Sequence, residues 1–281
     1  MIRKKYVHAL LFCLMMAAFL LPASSVRAAN PTKKTLSTNT TYTKYDITGD
    51  KKADKILIKT TGDSSTGDGT GLAIYINGKK CFSFSDKYYF LDQVTAQLYT
   101  LKNGKNFLYL YTPENNGDSP VCAVLQYKSG KLKKVIDFNT TLQKYGYHFS
   151  GSVVKVDGNK MTVKFEVMSY TTAYTVLKYT YTYKDGTLKR SARTTSVKVG
   201  YDSTSSTLTT AKSLKLYKSP TSESSCSTLK KGKKVKITGA YVKSGKFCLK
   251  IKTSGKSYWI KCKKTYPSDG VCPFKELFYA G

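Results

Sequence analysis

The chain has 281 residues, 41% of them hydrophobic, and its 47 Lys and Arg against 17 Asp and Glu give a formal charge of +30. This apolar content is sufficient for packed cores, which excludes a wholly disordered chain. Two His and one Trp exclude sites that need several of either residue, and 23 Tyr beside many Thr and Lys favour strands over helices. We therefore expect an all-β fold.

The N-terminus has the pattern of an export signal. Basic residues at positions 3–5 precede an apolar run over residues 9–21, and a small-residue cleavage motif ends at Ala28. The run is shorter than the about 20 residues that cross a bilayer, which favours a signal peptide at 1–28 over a retained membrane anchor. The 43 Lys and Arg and 17 Asp and Glu that remain give a mature charge of +26. We expect a secreted, extracellular protein without a transmembrane segment.

An oxygen-rich loop precedes the predicted strand 55–58. Calcium takes six to eight oxygens, several from carboxylates, around a turn that glycine assists. The segment resembles the Asp-x-Asn-Gly-Asp-Gly-x-x-Asp loop of FG-GAP/VCBS-type β repeats, with Thr48 replacing Asn or Asp and Lys51 replacing the second Gly. The resemblance implies a modest calcium site, and a charged turn held by Asp side chains is the alternative. The candidate ligands are Asp46, Thr48, Asp50, Lys52 and Asp54.

Turns centred on Gly recur at spacings of 26, 26, 28 and 28 residues. They supply the positive φ angles that hairpins need. Segments 161–167 and 179–183 alternate as half-buried strands do, whereas Leu72–Ile76 and Phe107–Tyr111 are more continuously apolar and predict interior strands. Five hairpins predict about ten strands in a domain at 29–200, arranged as a sandwich, a curved sheet or a propeller-like repeat. The turns are Asn77-Gly78, Asn103-Gly104, Ser129-Gly130, Asp157-Gly158 and Asp185-Gly186.

A Ser/Thr-rich stretch predicts a linker at 201–212 before a second domain at 213–281. That domain opens with a strand and a Ser-Pro turn at 214–220, continues with Leu-x-x-Gly-x-x-Val at 229–235, and ends with Gly-Lys-x-x-Trp-Ile at 255–260. This order resembles the bacterial SH3-like family. Five short strands joined by Gly turns also suit a small barrel on physical grounds.

The SH3-like resemblance implies a barrel that binds cell-wall peptides or glycans in an aromatic-lined groove. Cys248 departs from the family, which usually has a Trp at that position of the third strand. The alternative is that Trp259 is a barrel core residue and the tyrosines are surface strand residues. The candidate groove residues are Tyr217, Tyr241, Tyr258 and Trp259.

The mature chain keeps an even number of cysteines, which in an exported protein permits up to three disulfides. Ordinary buried thiols are the alternative. No Cys-x-x-Cys spacing is present, so a zinc site is not expected. The cysteines are Cys81, Cys122, Cys226, Cys248, Cys262 and Cys272.

Candidate catalytic groups are few. Cys122 and His148 could form a peptidase pair, but Cys122 lies inside a strand rather than at a helix start that would lower its pKa. A single His does not support zinc hydrolysis. We expect no enzymatic activity; the remaining alternative is a hydrolase whose carboxylate pair comes from Glu114, Asp118, Asp137 and Glu166.

Binding suits the charge better than catalysis does. Lysines at 131–134 and 230–236 form the densest basic clusters, and an excess of this size attracts anionic polymers. We predict a non-enzymatic protein that binds the bacterial cell wall, either peptidoglycan or an anionic wall polymer, through the SH3-like domain. The alternative is a module that binds an extracellular protein. No fold motif predicts specific nucleic-acid binding.

Overall fold

A computed structural model describes residues 31–63, 68–91, 94–113, 119–140, 142–192, 194–200, 207–243 and 245–279. The predicted signal peptide at 1–28 lies outside these residues. The described residues form strands and turns without any helix, so the predicted all-β class is confirmed. None of them forms a helix that is long and apolar enough to cross a membrane.

The strands up to residue 137 are β1 (Thr32–Leu36), β2 (Thr41–Tyr45), β3 (Asp54–Asp63), β4 (Asp68–Ile76), β5 (Lys79–Leu91), β6 (Thr95–Thr100), β7 (Asn106–Thr112), β8 (Val121–Lys128) and β9 (Lys131–Asp137). They form two antiparallel sheets, one in the order β1-β6-β7-β8-β9 and one in the order β2-β3-β4-β5. Ile56 and Ile74 of the four-stranded sheet belong to the same buried cluster as Leu98 and Leu110 of the five-stranded sheet. The two sheets therefore pack face to face.

The later strands are β10 (Gly146–Asp157), β11 (Lys160–Ser169), β12 (Ala173–Lys184), β13 (Thr187–Arg190), β14 (Thr194–Val199), β15 (Thr207–Thr209), β16 (Leu214–Leu216), β17 (Ser227–Leu229), β18 (Lys234–Lys243), β19 (Lys246–Thr253) and β20 (Lys256–Lys261). Nine of them form one sheet, whose path is β10-β11-β12-β14-β18-β19-β20, with β13 on β12 and β15 on β18. Strands β16 and β17 form a separate ribbon.

The five-stranded sheet is the middle layer because both of its faces are buried. On β7, Leu108 and Leu110 join the cluster shared with the four-stranded sheet, while Phe107 and Tyr109 join the larger cluster shared with the nine-stranded sheet. This confirms the interior strand predicted at Phe107–Tyr111. Strand β4 differs, since it is central in its sheet but alternates buried and partly exposed residues. One face of β4 is therefore open.

All five predicted hairpins are confirmed. Each turn joins two consecutive antiparallel strands, from β4–β5 to β12–β13. The glycine of every turn has a positive φ, between 56° and 80°. The turn residues decide these pairings locally, since few other residues adopt this conformation without strain.

Strand β14 joins the two halves of the chain. It pairs with β12 through residues 196–199 and with β18 through Thr194 and Thr195. Within the predicted linker at 201–212, Thr207–Thr209 form β15 and Leu208 is buried; residues 201–206 lie outside the described chain. Backbone pairing and burial here override a Ser/Thr-rich composition. One core cluster runs across this junction, from Tyr99 to Leu277.

A close approach at Gly151 fixes the packing of the middle layer on the nine-stranded sheet. A Cβ at this position would lie 2.0 Å from Cδ1 of Phe138 and 2.6 Å from the carbonyl oxygen of Lys164. The Phe138 ring packs between Tyr109 and Phe165, at centroid distances of 6.1 and 4.7 Å. The Tyr109 hydroxyl also donates a 2.7 Å hydrogen bond to the Gly151 carbonyl. Only glycine leaves room for this contact.

We expect Gly151→Ala to lower the free energy of unfolding by about 3 kcal/mol, because Phe138 and the backbone must move apart. Gly158→Ala is the matched control, since a Cβ there meets nothing within 4 Å. Its positive φ should cost about 1 kcal/mol. Denaturant unfolding of both variants measures the difference, and equal losses would contradict the close approach.

Candidate functional site

Aromatic and lysine side chains share the outer face of the hairpins β18–β19 and β19–β20. Tyr241 pairs with Cys248, and Cys248 pairs with Lys261 on its other side. Two residues away along β19 and β20, Lys250 pairs with Trp259. Residues paired across strands or two apart along a strand lie on the same face. We call this surface the aromatic–lysine face and define it as Tyr217, Tyr241, Lys250, Trp259 and Lys261.

Tyr217 is fixed to this face by the backbone of Trp259. Each residue donates its N–H to the carbonyl of the other, at 2.8 and 2.9 Å. The Lys261 ammonium lies 4.4 Å from the centroid of the Tyr217 ring, a cation–π contact. Tyr241 meets Trp259 edge to face, with the centroids 6.3 Å apart at 82°. Three of the four predicted groove residues are therefore brought together.

Tyr258 is not part of this cluster. It follows the two-residue alternation of β20, so it points to the opposite face from Trp259 and packs against the larger core. Trp259 is half-buried and belongs to neither core cluster, while Tyr241 is only 8% exposed and supports it from below. Tyr217 and Trp259 are the aromatic side chains that this face offers to a ligand.

A cavity of about 210 Å³ opens beside this face, at the β18–β19 turn. It shares Lys261 and Cys248 with the strands of the face. Its charged lining is three lysines and one carboxylate, and the nearest ion pair, Lys246 with Glu223, is long at 3.4 Å and exposed. The cavity therefore has a positive balance that suits an anionic group. We call it the lysine pocket; its lining includes Tyr145, Glu223, Lys246, Cys248, Lys261, Cys262 and Lys264.

The lysine pocket was not predictable from the sequence, because its residues come from four separated segments. Tyr145 reaches it across the fold, with its hydroxyl donating to the Gly245 carbonyl and its ring edge on Phe247 at 5.6 Å. Lys250 was also missed, although it stands two residues from Cys248 and so must share its face. Period-two alternation would have identified Lys250 and would have removed Tyr258.

All six cysteines of the described residues are free thiols, so disulfide formation stays a prediction. Burial raises the pKa of Cys248 and, more strongly, that of Cys262. The Cys272 thiol is also buried and donates to the Thr171 carbonyl at 3.4 Å. Cys226 alone is exposed. The thiols are packing groups in this arrangement, as the alternative interpretation expected.

The predicted calcium loop is held by its own carboxylates. Asp46 accepts the N–H groups of Gly49 and Lys51 at 2.6 and 2.8 Å, and Asp50 accepts that of Lys52 at 2.8 Å. The second left-handed position of the loop, where the repeat family has Gly, is Lys51 with φ 71°. The backbone thus adopts the tight turn without the second glycine.

Asp54 anchors the loop to the four-stranded sheet. Its side chain is 1% exposed, and Oδ2 accepts the N–H groups of Ile47 and Thr48 at 2.8 and 2.9 Å. Oδ1 accepts the Asn77 side-chain amide at 2.7 Å, which ties the loop to the β4–β5 turn. No group of three acidic, His or Cys side chains in the described residues is arranged to hold a metal ion. Calcium binding by Asp46, Thr48, Asp50, Lys52 and Asp54 stays a prediction.

The candidate catalytic groups that the structure describes, Cys122, Asp137 and Glu166, are enclosed or already paired. The Cys122 thiol is 3.4 Å from the Gly151 carbonyl, and burial raises its pKa to about 12. Glu166 is held by Lys164 at 3.0 Å and by the Tyr174 hydroxyl, and Asp137 is held by Lys134 at 3.0 Å. The side chains of His148, Glu114 and Asp118 lie outside the described part of the structure.

Comparison with protein-family models, with curated proteins and with solved structures found no match for this chain. The resemblances to the SH3-like and FG-GAP/VCBS-type families therefore stay predictions from the motifs. Region 213–281 does contain five strands, β16 to β20, and β14 and β15 extend its sheet from the preceding segment.

We expect native protein at pH 8 to react with a maleimide at Cys226 only, because the other thiols are buried. A pKa of about 12 leaves about one Cys122 in ten thousand as the reactive thiolate at that pH. After the mature chain is unfolded without reductant, six thiols should react, as counted by mass spectrometry. Fewer than six would reveal disulfides and contradict the free-thiol arrangement.

We expect Asp54→Ala to lower the free energy of unfolding by about 3 kcal/mol, since it leaves buried N–H donors without an acceptor. Asp50→Ala is the control, because that carboxylate accepts one exposed N–H, and its loss should stay below about 1 kcal/mol. Similar losses in both variants would contradict the anchoring role of Asp54. The same unfolding curves with and without calcium test the calcium prediction, since a ligand of the folded state stabilises it.

Proposed function

We propose that the protein is a secreted, non-enzymatic binding protein that associates with the bacterial cell wall through region 213–281. The observation that carries the proposal is the aromatic–lysine face with the lysine pocket at its end. Trp259 and Tyr217 offer ring surface on which sugars or peptide groups can stack. Lys250 pairs with Trp259 across the sheet, and Lys261 lies two residues further along β20. Wall polymers combine such groups with negative charge.

The kind of basic residue also supports a wall polymer. The chain has 47 Lys and Arg, of which four are Arg, at positions 3, 27, 190 and 193. A lysine ammonium is a compact point charge, whereas the planar arginine guanidinium binds a carboxylate or phosphate through two hydrogen bonds in a fixed geometry. Lysine therefore suits a polymer with repeating anionic groups, which can bind in several registers by charge attraction. The exposed lysines of the 230–236 run add to the same field.

The lysine pocket would take one anionic group of the bound polymer, a phosphate or a carboxylate. Lys264 has no carboxylate within ion-pair distance among the described residues, and Lys261 is oriented by Tyr217 and by the Glu223 carbonyl at 3.3 Å. The ligand group would then replace the weak Lys246–Glu223 contact. Stacking on the face and ion pairing in the pocket would act on one ligand together.

We propose no catalytic role, because the candidate groups that the structure describes are buried or ion-paired. A thiol with a pKa near 12 is a poor nucleophile at neutral pH, and Cys122 is completely enclosed. Glu166 and Asp137 each form an ion pair with a lysine, Lys164 and Lys134, so both carboxylates are engaged within the fold.

An extracellular protein partner is the second candidate. Residues 266–278 carry three exposed apolar side chains, Tyr266 at 49%, Val271 at 46% and Phe278 at 65%. Tyr266 stacks on Tyr279 at 4.8 Å and meets Tyr170 edge to face at 6.3 Å. Exposed apolar groups on a charged protein commonly mark contact surfaces. A partner protein would use this patch rather than the aromatic–lysine face.

Sedimentation of the mature chain with purified peptidoglycan, with and without attached anionic polymer, tests the proposal. We expect binding at about 0.15 M salt that persists in part at 0.5 M, where the Debye length is roughly halved. Trp259→Ala should weaken binding by about tenfold, the loss of a central aromatic contact. Lys246→Ala with Lys264→Ala should weaken binding only to wall that carries the anionic polymer.

Two controls make this experiment specific. Tyr266→Ala removes an exposed aromatic side chain from the other patch and should leave wall binding unchanged. Lys131→Ala with Lys133→Ala removes the same charge as the lysine-pocket pair from a different sheet. Absence of binding in every condition, or equal losses in variants and controls, would overturn wall binding through this face.

A further inference from the structure

A second cavity, larger than the lysine pocket, lies on the open face of the four-stranded sheet. It has a volume of about 400 Å³ and follows the central strand β4 from Gly71 to Tyr75. The other face of the same strands holds Ile58, Leu72 and Ile74 in the core, so the sheet itself is rigidly supported. We call this cavity the β4 trough and define it by Lys59, Thr61, Gly71, Ala73, Tyr75, Lys80, Ser83 and Ser85.

Small side chains along β4 create the trough. Gly71 pairs with Thr61 and Ser85, and Ala73 pairs with Lys59 and Ser83, so the side chains of the middle strand are shorter than those beside them. A Cβ at Gly71 would stand 2.7 Å from Oγ1 of the exposed Thr61, so a larger residue here would displace that side chain and fill part of the depression. The depression is therefore fixed by the sequence of β4 rather than by a movable loop.

The walls of the trough offer hydroxyls and positive charge. Thr61, Ser83 and Ser85 bring hydroxyl groups from the two flanking strands, and the Tyr75 ring closes one end. Lys59 and Lys80 stand on opposite sides of β4. Neither lysine has a carboxylate within ion-pair distance in the described part of the chain. These groups complement an acidic sugar, since its hydroxyls can hydrogen-bond to the Thr and Ser hydroxyls, its ring can pack on the tyrosine, and its carboxylate can pair with the ammonium groups.

The position of β4 argues against an extended peptide as the ligand. A peptide that joins a sheet uses the unpaired backbone of an edge strand. Strand β4 pairs with β3 on one side and with β5 on the other, so its backbone groups are engaged. A ligand in the trough must be bound through side-chain hydroxyls, the tyrosine ring and the lysines. Sugar hydroxyls donate and accept at such sites, and an acidic substituent pairs with lysine.

We propose that the β4 trough binds a short acidic oligosaccharide, with sugar hydroxyls on Thr61, Ser83 and Ser85 and a carboxylate between Lys59 and Lys80. From Gly71 to Tyr75 the strand spans about 13 Å, which accommodates a short run of sugar rings. This site belongs to a different sheet from the aromatic–lysine face and does not depend on the function proposed for that face.

Titration of the mature chain with the trisaccharide of galacturonic acid, followed by ¹⁵N NMR, tests the proposal; a neutral trisaccharide is the comparison. We expect amide shifts at Gly71, Ala73 and Ser83, and an affinity at least about tenfold higher for the acidic sugar, a difference of about 1.4 kcal/mol. Lys59→Ala with Lys80→Ala should remove that preference. Ala73→Tyr, which fills the trough at a partly exposed position of a strand, should abolish the shifts.

The control is Lys131→Ala with Lys133→Ala, which lowers the net charge equally and should change the affinity by less than about twofold. Trp259→Ala should leave it unchanged, so failure at this site and failure at the aromatic–lysine face are distinguishable. No shifts at about 10 mM trisaccharide, equal affinity for the neutral sugar, or shifts confined to residues around Trp259 would each overturn the proposal.

Discussion

The pairing of one six-residue strand on both of its edges holds the two halves of this chain together. Strand β14 gives residues 196–199 to β12 and residues 194 and 195 to β18, which turns two sets of hairpins into one continuous sheet. Arg190 reinforces the junction, since its guanidinium donates to the Val242 carbonyl and stands 4.9 Å over the Tyr179 ring. Because a single core lies beneath this sheet, the orientation of β18–β20 follows from the position of β14.

The two candidate sites are built in different ways on this frame. The aromatic–lysine face uses large side chains that project from β18–β20, and its lysine pocket depends on the distant Tyr145. The β4 trough forms because β4 carries the small residues Gly71 and Ala73, while the neighbouring strands β3 and β5 carry longer side chains. Both sites stand on the outside of sheets whose inner faces are packed, so their geometry is set by the cores.

Local structure was predictable and long-range pairing was not. The five Asn-Gly, Asp-Gly and Ser-Gly turns require positive φ, a demand that a few adjacent residues satisfy alone. Strand β15 was not predictable from its Ser/Thr-rich sequence, because it is stabilised by pairing with β18. Leu208, for example, pairs with Val235, 27 residues later in the chain. Tyr258 lies on the opposite face of β20 from Trp259, because neighbouring residues of a strand face opposite ways. The lysine pocket needs residues near 145, 223, 246 and 264, which no sequence period connects.

The position of Trp259 has an optical consequence. It is the sole tryptophan of the chain, and it lies half-buried on the aromatic–lysine face beside Tyr241. Indole emission therefore reports on the surroundings of this one surface. A ligand that stacks on Trp259 shifts the indole emission, whereas a sugar bound in the β4 trough leaves the emission unchanged. The molecule carries its own fluorophore at one of its two candidate sites and not at the other.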